Sequence, residues 1–258
     1  MGIVNITSDS FSDGGKFLGA DAAVVHAQAL MKAGAEIIDI GGESTRPGAQ
    51  PVPEEEELRR VLPVVERLAG DVRFVISIDT MKPAVARAAI ALGAGIINDV
   101  GGMCDPAMRA VAVETGAGVV AMHMQGTPGT MQDAPTYGDV VEEVRDFFRQ
   151  TREACLRSGM NPACISFDPG IGFGKSVEHN LALLRESGSL APAGHPLVLG
   201  ASRKGFIGKV LDSSAMEDRA APTVALTAWG RAQGVRVFRV HDVAPNLQAM
   251  RMVEALLP

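Results

Sequence analysis

Aromatic side chains are scarce: one Trp, one Tyr and nine Phe make up 4% of 258 residues. Aliphatic residues and alanine therefore have to fill the core. With 47% hydrophobic residues there are enough of them for one globular domain spanning 1–258. Cysteine is nearly absent. Cys104, Cys155 and Cys164 are odd in number, widely spaced and outside any CxxC pair. That pattern argues against a disulfide framework and for structural thiols in a reducing, cytoplasmic setting. No HxH or HExxH spacing occurs, which speaks against a metal cage made by protein alone. The chain has no apolar run of the ~18 residues that a membrane span needs, and no signal peptide. It is expected to be neither membrane-spanning nor secreted. No basic stripe interrupts a net charge of −6 and a pI near 5.4, which argues against a nucleic-acid partner. A few Arg and Lys focused in a cleft would still admit a small anionic substrate.

What is present alternates regularly. Apolar runs near 2–7, 37–42, 74–80, 95–100, 118–124, 165–170, 196–201 and 236–241 read as buried strands. Amphipathic stretches near 20–33, 54–69, 83–92, 106–115, 139–158, 176–187, 220–233 and 245–256 read as helices. Eight strand–helix pairs of roughly 32 residues each predict an α/β fold, a (β/α)8 TIM barrel in a single domain. An open, doubly wound sheet is the rival, and no strand carries the polar marks of an edge. An internal repeat supports the barrel. Gly34-Ala35-Glu36-Ile37-Ile38-Asp39-Ile40-Gly41-Gly42 resembles the segment from Gly93 to Gly102, and Gly116-Ala117-Gly118-Val119-Val120 begins a third copy. In each, Gly ends a helix where a left-handed residue is needed and a strand follows at once. Gly2 already stands in a core strand, so a short lead-in ahead of Met1 is expected to be missing from this sequence.

In such a barrel the loops after the strands gather at one face, which holds the active site. The polar residues at these tips are Asn5; Asp39 with Glu43, Ser44, Thr45 and Arg46; Asp79; Asn98; His123 and Gln125; Asp168; Ser202, Arg203 and Lys204; and Arg239 with His241. Singly each has a plain reading. Asp79 could cap the helix starting at Pro83, Asn98 could satisfy barrel backbone, and His123 could be a satisfied interior histidine. The run Ile165-Ser166-Phe167-Asp168-Pro169-Gly170-Ile171-Gly172-Phe173-Gly174-Lys175 is the most informative: an apolar strand delivers one carboxylate, and three Gly allow close approach of a ligand.

The tips divide in two. Asp79, Asn98 and Asp168 offer acceptors for a heterocycle edge rich in N–H groups, with Lys204 for its acceptors. Arg46, Arg239 and His241, with Asn5 and Thr45, suit a phosphate or diphosphate. No Ser or Cys at the tips is expected to pair with a base, which leaves covalent catalysis unsupported. Loops 8–19 and 41–53 are long enough to be functional. Glu54-Glu55-Glu56-Glu57 reads as a favourably charged helix start, and the Gly170–Gly174 spacing is wrong for a dinucleotide fingerprint.

The runs Asn5-Ile6-Thr7 with Asp9-Ser10-Phe11-Ser12-Asp13-Gly14-Gly15, Gly42-Glu43-Ser44-Thr45-Arg46-Pro47-Gly48, Ser77-Ile78-Asp79-Thr80, Ile97-Asn98-Asp99, Met122-His123-Met124-Gln125-Gly126, Asp168 to Lys175, Ser202-Arg203-Lys204-Gly205-Phe206 and Arg239-Val240-His241-Asp242-Val243 resemble the dihydropteroate synthases, in order and over nearly the whole chain. The resemblance implies condensation of 6-hydroxymethyl-7,8-dihydropterin diphosphate with p-aminobenzoate in folate synthesis, a sulfonamide target, and a homodimer. It implies that Asp79, Asn98, Asp168 and Lys204 hold the pterin with Met122 and Phe173 packing nearby. Asn5 would help position Mg2+, and Thr45, Arg239 and His241 would contact the diphosphate. Arg46, Pro47, Phe173, Ser202 and Arg203 would form the p-aminobenzoate subsite. Asp79, Asp168, Lys204, Arg239 and His241 are the implied catalytic set. Ser8 stands where the family commonly has Pro, and Gly129 where a basic residue is often found. A pterin-binding methyltransferase domain, with a corrinoid partner, and an inactive pterin-binding paralogue are the alternatives.

Overall fold

Parallel strands dominate the computed structural model, which describes residues 1–6, 16–45 and 48–257 of the chain, without the side chains of 16–18. The expectations that rest on Ser8, on the 8–15 segment and on Arg46 and Pro47 lie outside the described residues. β1 (Gly2–Asn5), β2 (Ile37–Gly41), β3 (Val75–Asp79), β4 (Ile96–Asp99), β5 (Gly118–Met122) and β6 (Ile165–Asp168) pair in sequence order. β7 (Val198–Leu199) pairs with β8 (Val237–Phe238). Parallel bridges Phe167↔Leu197 and Gly2↔Val240 join the two sets. Main-chain bonds from Ile3 to Val240 and from Val240 to Met1 finish the ring, at 3.2 and 3.0 Å. Eight parallel strands closed on themselves make the (β/α)8 barrel and remove both edges of the open-sheet alternative.

The helices α1 (Lys16–Lys32), α2 (Glu54–Leu68), α3 (Pro83–Ala91), α4 (Pro106–Thr115), α5 (Val140–Arg157), α6 (Val177–Arg185), α9 (Ala220–Ala232) and α10 (Val243–Leu256) match the amphipathic stretches. Their starts are built locally. Asp105 accepts from Ala107 N ahead of Pro106, Asp139 accepts from Val141 and Glu142 N, and Ser176 forms a capping box with His179. The repeat glycines Gly34, Gly93 and Gly116 have φ of 98°, 114° and 69°, the left-handed conformation anticipated for helix ends. Two short helices, α7 (Ser187–Leu190) and α8 (Gly205–Val210), were not legible in the sequence. They are four and six residues long and rich in Gly and Ser, too short for a helical period to register. The strands expected at 196–201 and 236–241 shrink to two residues each. Pro196 has no N–H to give a ladder.

Outward-facing residues such as Ile38, Ile40, Ile78, Ile97 and Phe167 are at or below 1% exposure and fill the layer between strands and helices. The residues alternating with them, among them Asp39, Ser77, Asp79, Asn98 and Asp168, are polar and also buried. Gly170 shows how tightly the mouth is built. It has φ 63°, and a β-carbon there would lie 1.9 Å from the His123 carbonyl oxygen. Gly170→Ala is expected to cost about 2–5 kcal/mol through strain and overpacking together. A denaturation midpoint equal to that of the parent would contradict this.

Candidate active site

Asp39 is the hub. It has no exposed surface and lies in β2, where its Oδ1 accepts from Ser77 Oγ at 2.6 Å. Its Oδ2 accepts from Asn98 Nδ2 at 3.2 Å and from Arg239 Nε at 2.6 Å. Arg239 Nη2 continues to Asp79 Oδ2 at 2.7 Å. One guanidinium thus bridges two buried carboxylates from the middle of the barrel mouth. Burial opposes the charge of Arg239, yet Asp39 and Asp79 raise its proton affinity above the usual arginine value. Because the Asn98 amide nitrogen is given to Asp39, its carbonyl oxygen is left as an acceptor. Asp39 and Asn98 occupy equivalent places in the sequence repeat and meet inside the barrel.

Asp168 ends β6 at 5% exposure. Its Oδ1 accepts from Gly170 N at 2.7 Å, and its Oδ2 faces Gly200, where a β-carbon would come within 3.2 Å. Burial pushes its carboxyl upward, while the Gly170 N–H and the charges of Lys204, Arg239 and Lys175 pull it back. Lys204 Nζ sits 4.0 Å from the centroid of the Phe173 ring, close enough for a cation–π contact. Phe173, Met122, Val100 and Met131 form a separate apolar cluster with Met81 and Met124 beside these groups. The structure therefore brings Asp79, Asn98, Asp168, Lys204, Met122 and Phe173 to one end of the barrel.

Some placements differ from the expectation. Arg239 was grouped with His241 at a phosphate corner, but its guanidinium lies inward between Asp39 and Asp79, because a fully buried carboxylate beside it demands a cation. Ser202 and His241 do pair: Oγ and Nδ1 are 2.9 Å apart, against the expectation that no hydroxyl would meet a base. Ser202 Oγ also accepts from His241 N at 3.2 Å. The two contacts together fix the orientation of the His241 ring. At 5% exposure the hydroxyl is a positioning group. Arg203 has φ 56° and its side chain grips Asp242 through bonds of 2.6, 2.7 and 3.0 Å. Thr45 is half-buried in the loop after β2 and takes no part in these contacts. A β-carbon on Gly41 would lie 3.7 Å from Asn5 Oδ1 and 3.6 Å from Asp79 Oδ2.

Asp79 is no helix cap: the α3 cap position is Lys82, whose N–H is taken by Thr80 Oγ1 at 3.1 Å. The four-Glu run hides one exception to its reading as a charged helix start. Glu57 is fully buried and pairs with Lys82 Nζ at 2.5 Å, and Lys82 also binds Glu43. His123 is a satisfied interior group held against Lys175. Burial, aided by the Lys175 charge, lowers its pKa to about 3, so it stays neutral. In the sequence Asp39 is a strand tip without an evident role, and Lys175 carries no mark of function. The signal for Asp39 was a charge set at the inward position of an Ile-rich strand.

Burial pushes the Asp79 carboxyl up to about 7 against the pull of Arg239. An acid raised in the fold keeps its proton after the unfolded chain, at 3.8, has lost it. Its contribution to stability is therefore fully present below about 3.8 and is lost as pH rises through about 7. As an acceptor for ligand N–H groups it gains strength over the same window. Affinity for a pterin is expected to rise between about pH 6 and about 8. A dissociation constant flat across that range, measured by calorimetry, would refute the link.

Comparison with known proteins places this geometry. The family described as pterin binding enzyme matches residues 1–241. The chain is similar to the dihydropteroate synthase of Escherichia coli K12, 46% identical over 257 residues that cover 100% of this chain and 91% of the relative. It is similar to the structure of the Xanthomonas albilineans dihydropteroate synthase with 4-aminobenzoic acid, with a TM-score of 0.92 and 45% identity over 100% of this chain and 93% of that one. It is also similar to the Burkholderia cenocepacia dihydropteroate synthase complexed with 7,8-dihydropteroate, with a TM-score of 0.90 and 42% identity over 99% and 90% of the two chains.

Proposed function

We infer the reaction from a fixed premise: the chain belongs to the pterin-binding enzyme family. It is a transferase that condenses 6-hydroxymethyl-7,8-dihydropterin diphosphate with p-aminobenzoate, giving 7,8-dihydropteroate and diphosphate in folate biosynthesis. Full-length identity of 46% to a dihydropteroate synthase carries this conclusion, since barrels of this shape host many unrelated chemistries.

The residue roles combine this geometry with the family resemblance. Asp79, Asn98 and Asp168 present acceptors to the N–H edge of the pterin, and Lys204 over Phe173 meets its acceptor side. Arg239, behind Asp79, keeps the two inner carboxylates paired and turns its charge toward the pterin end. His241, oriented by Ser202, contacts the diphosphate together with Thr45. Arg46, Pro47 and Arg203 remain assigned to p-aminobenzoate. Asn5, at the tip of β1, would supply a hard oxygen donor to Mg2+ bound with the substrate phosphates. The ion would neutralise charge on the leaving diphosphate. The aniline nitrogen forms the new N–C bond at the pterin methylene while the C–O bond to diphosphate breaks, and the nitrogen loses a proton to solvent or diphosphate. His241 and the ion at the diphosphate, with carboxylates at the pterin, would favour ionisation of that C–O bond ahead of attack.

No helix among the described residues is long and apolar enough to cross a membrane, and the three free cysteines suit the reducing cytoplasm. Trp229 on α9, with Met252 and Leu256 on α10, leaves apolar surface exposed that fits a second copy of the chain in a homodimer; sedimentation tests that assembly. Diphosphate release, followed with and without p-aminobenzoate, tests the reaction. Turnover that depends on p-aminobenzoate is expected. No release under either condition would favour an inactive paralogue, and methyl transfer to a corrinoid would favour the methyltransferase reading.

A further inference from the structure

Lys175 has no place in the chemistry above, yet it is the most deeply buried lysine near the site, at 4% exposure. Its Nζ has three partners: Phe173 O at 2.9 Å, His123 Nδ1 at 3.0 Å and His123 O at 3.3 Å. An ammonium has three N–H donors, so the tripod is complete. His123 follows β5, and Phe173 belongs to the turn after β6. The side chain therefore laces together the ends of two neighbouring strands, around the residue whose backbone continues from Asp168. The lacing runs beneath Gly170, where a β-carbon would lie 3.4 Å from Nζ.

All three acceptors are neutral, because His123 keeps an uncharged ring. A buried cation with no carboxylate in contact is costly, and a tether alone would not need the charge. Asp168 is the carboxylate whose charge favours it. The charged groups around it come from every neighbouring strand tip: Asp168 of β6 attracts it and Lys204 after β7 repels it. Arg239 of β8 acts on the same Asp168 carboxylate. Burial lowers the Lys175 pKa to about 7, with Asp168 opposing the fall.

We propose that Lys175 is a positioning residue for pterin recognition, fixing the turn that carries Asp168 and Phe173 and setting positive charge behind the Asp168 carboxylate. The proposal rests on the assignment of Asp168 to the pterin. It predicts that loss of the charge weakens pterin binding.

Two variants separate tether from charge. Lys175→Met removes both; Lys175→Gln keeps N–H donors for the carbonyls and is the safer variant for folding. Calorimetric titration of 7,8-dihydropteroate across pH, with a melting curve as the folding control, is the readout. Both variants should bind at least about tenfold more weakly than the parent, equivalent to about 1.4 kcal/mol. The part of the affinity–pH profile set by Asp168, as distinct from the Asp79 step near about 7, should move upward in both, since Asp168 then ionises later. A structural role alone would leave that part unchanged in folded Lys175→Gln. Folded variants with the parent's affinity and pH midpoint would overturn the proposal. Should the parent itself fail to bind 7,8-dihydropteroate, the functional reading fails first, and the two failures stay distinct.

Discussion

Asp39→Ala is expected to destabilise the chain by about 3–5 kcal/mol, the range for removing one partner of a buried ion pair. Asp39 is completely buried and holds Ser77, Asn98 and Arg239 at once. Its loss leaves Arg239 with Asp79 alone and strips the acceptor from two further donors, each a cost of roughly 1–3 kcal/mol before relaxation. Asp39→Asn should be nearly as damaging, because the new amide nitrogen points a donor at donors. Function should fall as well as stability. Without Asp39 the Asn98 amide is free to turn its nitrogen toward the ligand, and Arg239 can pull Asp79 out of line. Chemical denaturation gives the first effect and pterin titration the second. A stability within about 0.5 kcal/mol of the parent would show that Asp39 is no hub.

Asp168→Asn should act almost wholly on binding. The bond from Gly170 N to Oδ1 survives with an amide oxygen in the same place, so the turn keeps its shape. Only the second oxygen, beside the bare Gly200, is exchanged for an N–H2 group. That group meets ligand N–H donors with another donor, a mismatch of roughly 1–3 kcal/mol or more. Pterin affinity should drop about tenfold to a hundredfold while the melting curve stays close to that of the parent. Unchanged affinity would remove Asp168 from the site.

The barrel and its ring of polar tips were legible because both follow from simple periods. Eight apolar runs alternate with eight helical stretches, and glycines at the helix ends mark each entry into a strand. Which tip touches which was not legible. Arg239 reads as a phosphate ligand beside His241, and only the closed ring shows β8 delivering it next to Asp39 of β2. Lys175 follows a Gly-rich turn and resembles any solvated lysine until the turn is seen to fold it inward. Glu57 stands in a run of four like residues, and nothing in the run tells which one faces Lys82. Contacts of this kind join residues far apart in sequence, beyond the reach of local pattern.

The most direct test of the account is a crystal structure of this chain with 7,8-dihydropteroate. The pterin ring is expected with its N–H edge on Asp79, Asn98 and Asp168, with Lys204 and Phe173 against the ring and Arg239 still bridging Asp39 and Asp79. A pterin bound elsewhere, or one that leaves Asp168 without a contact, would contradict it.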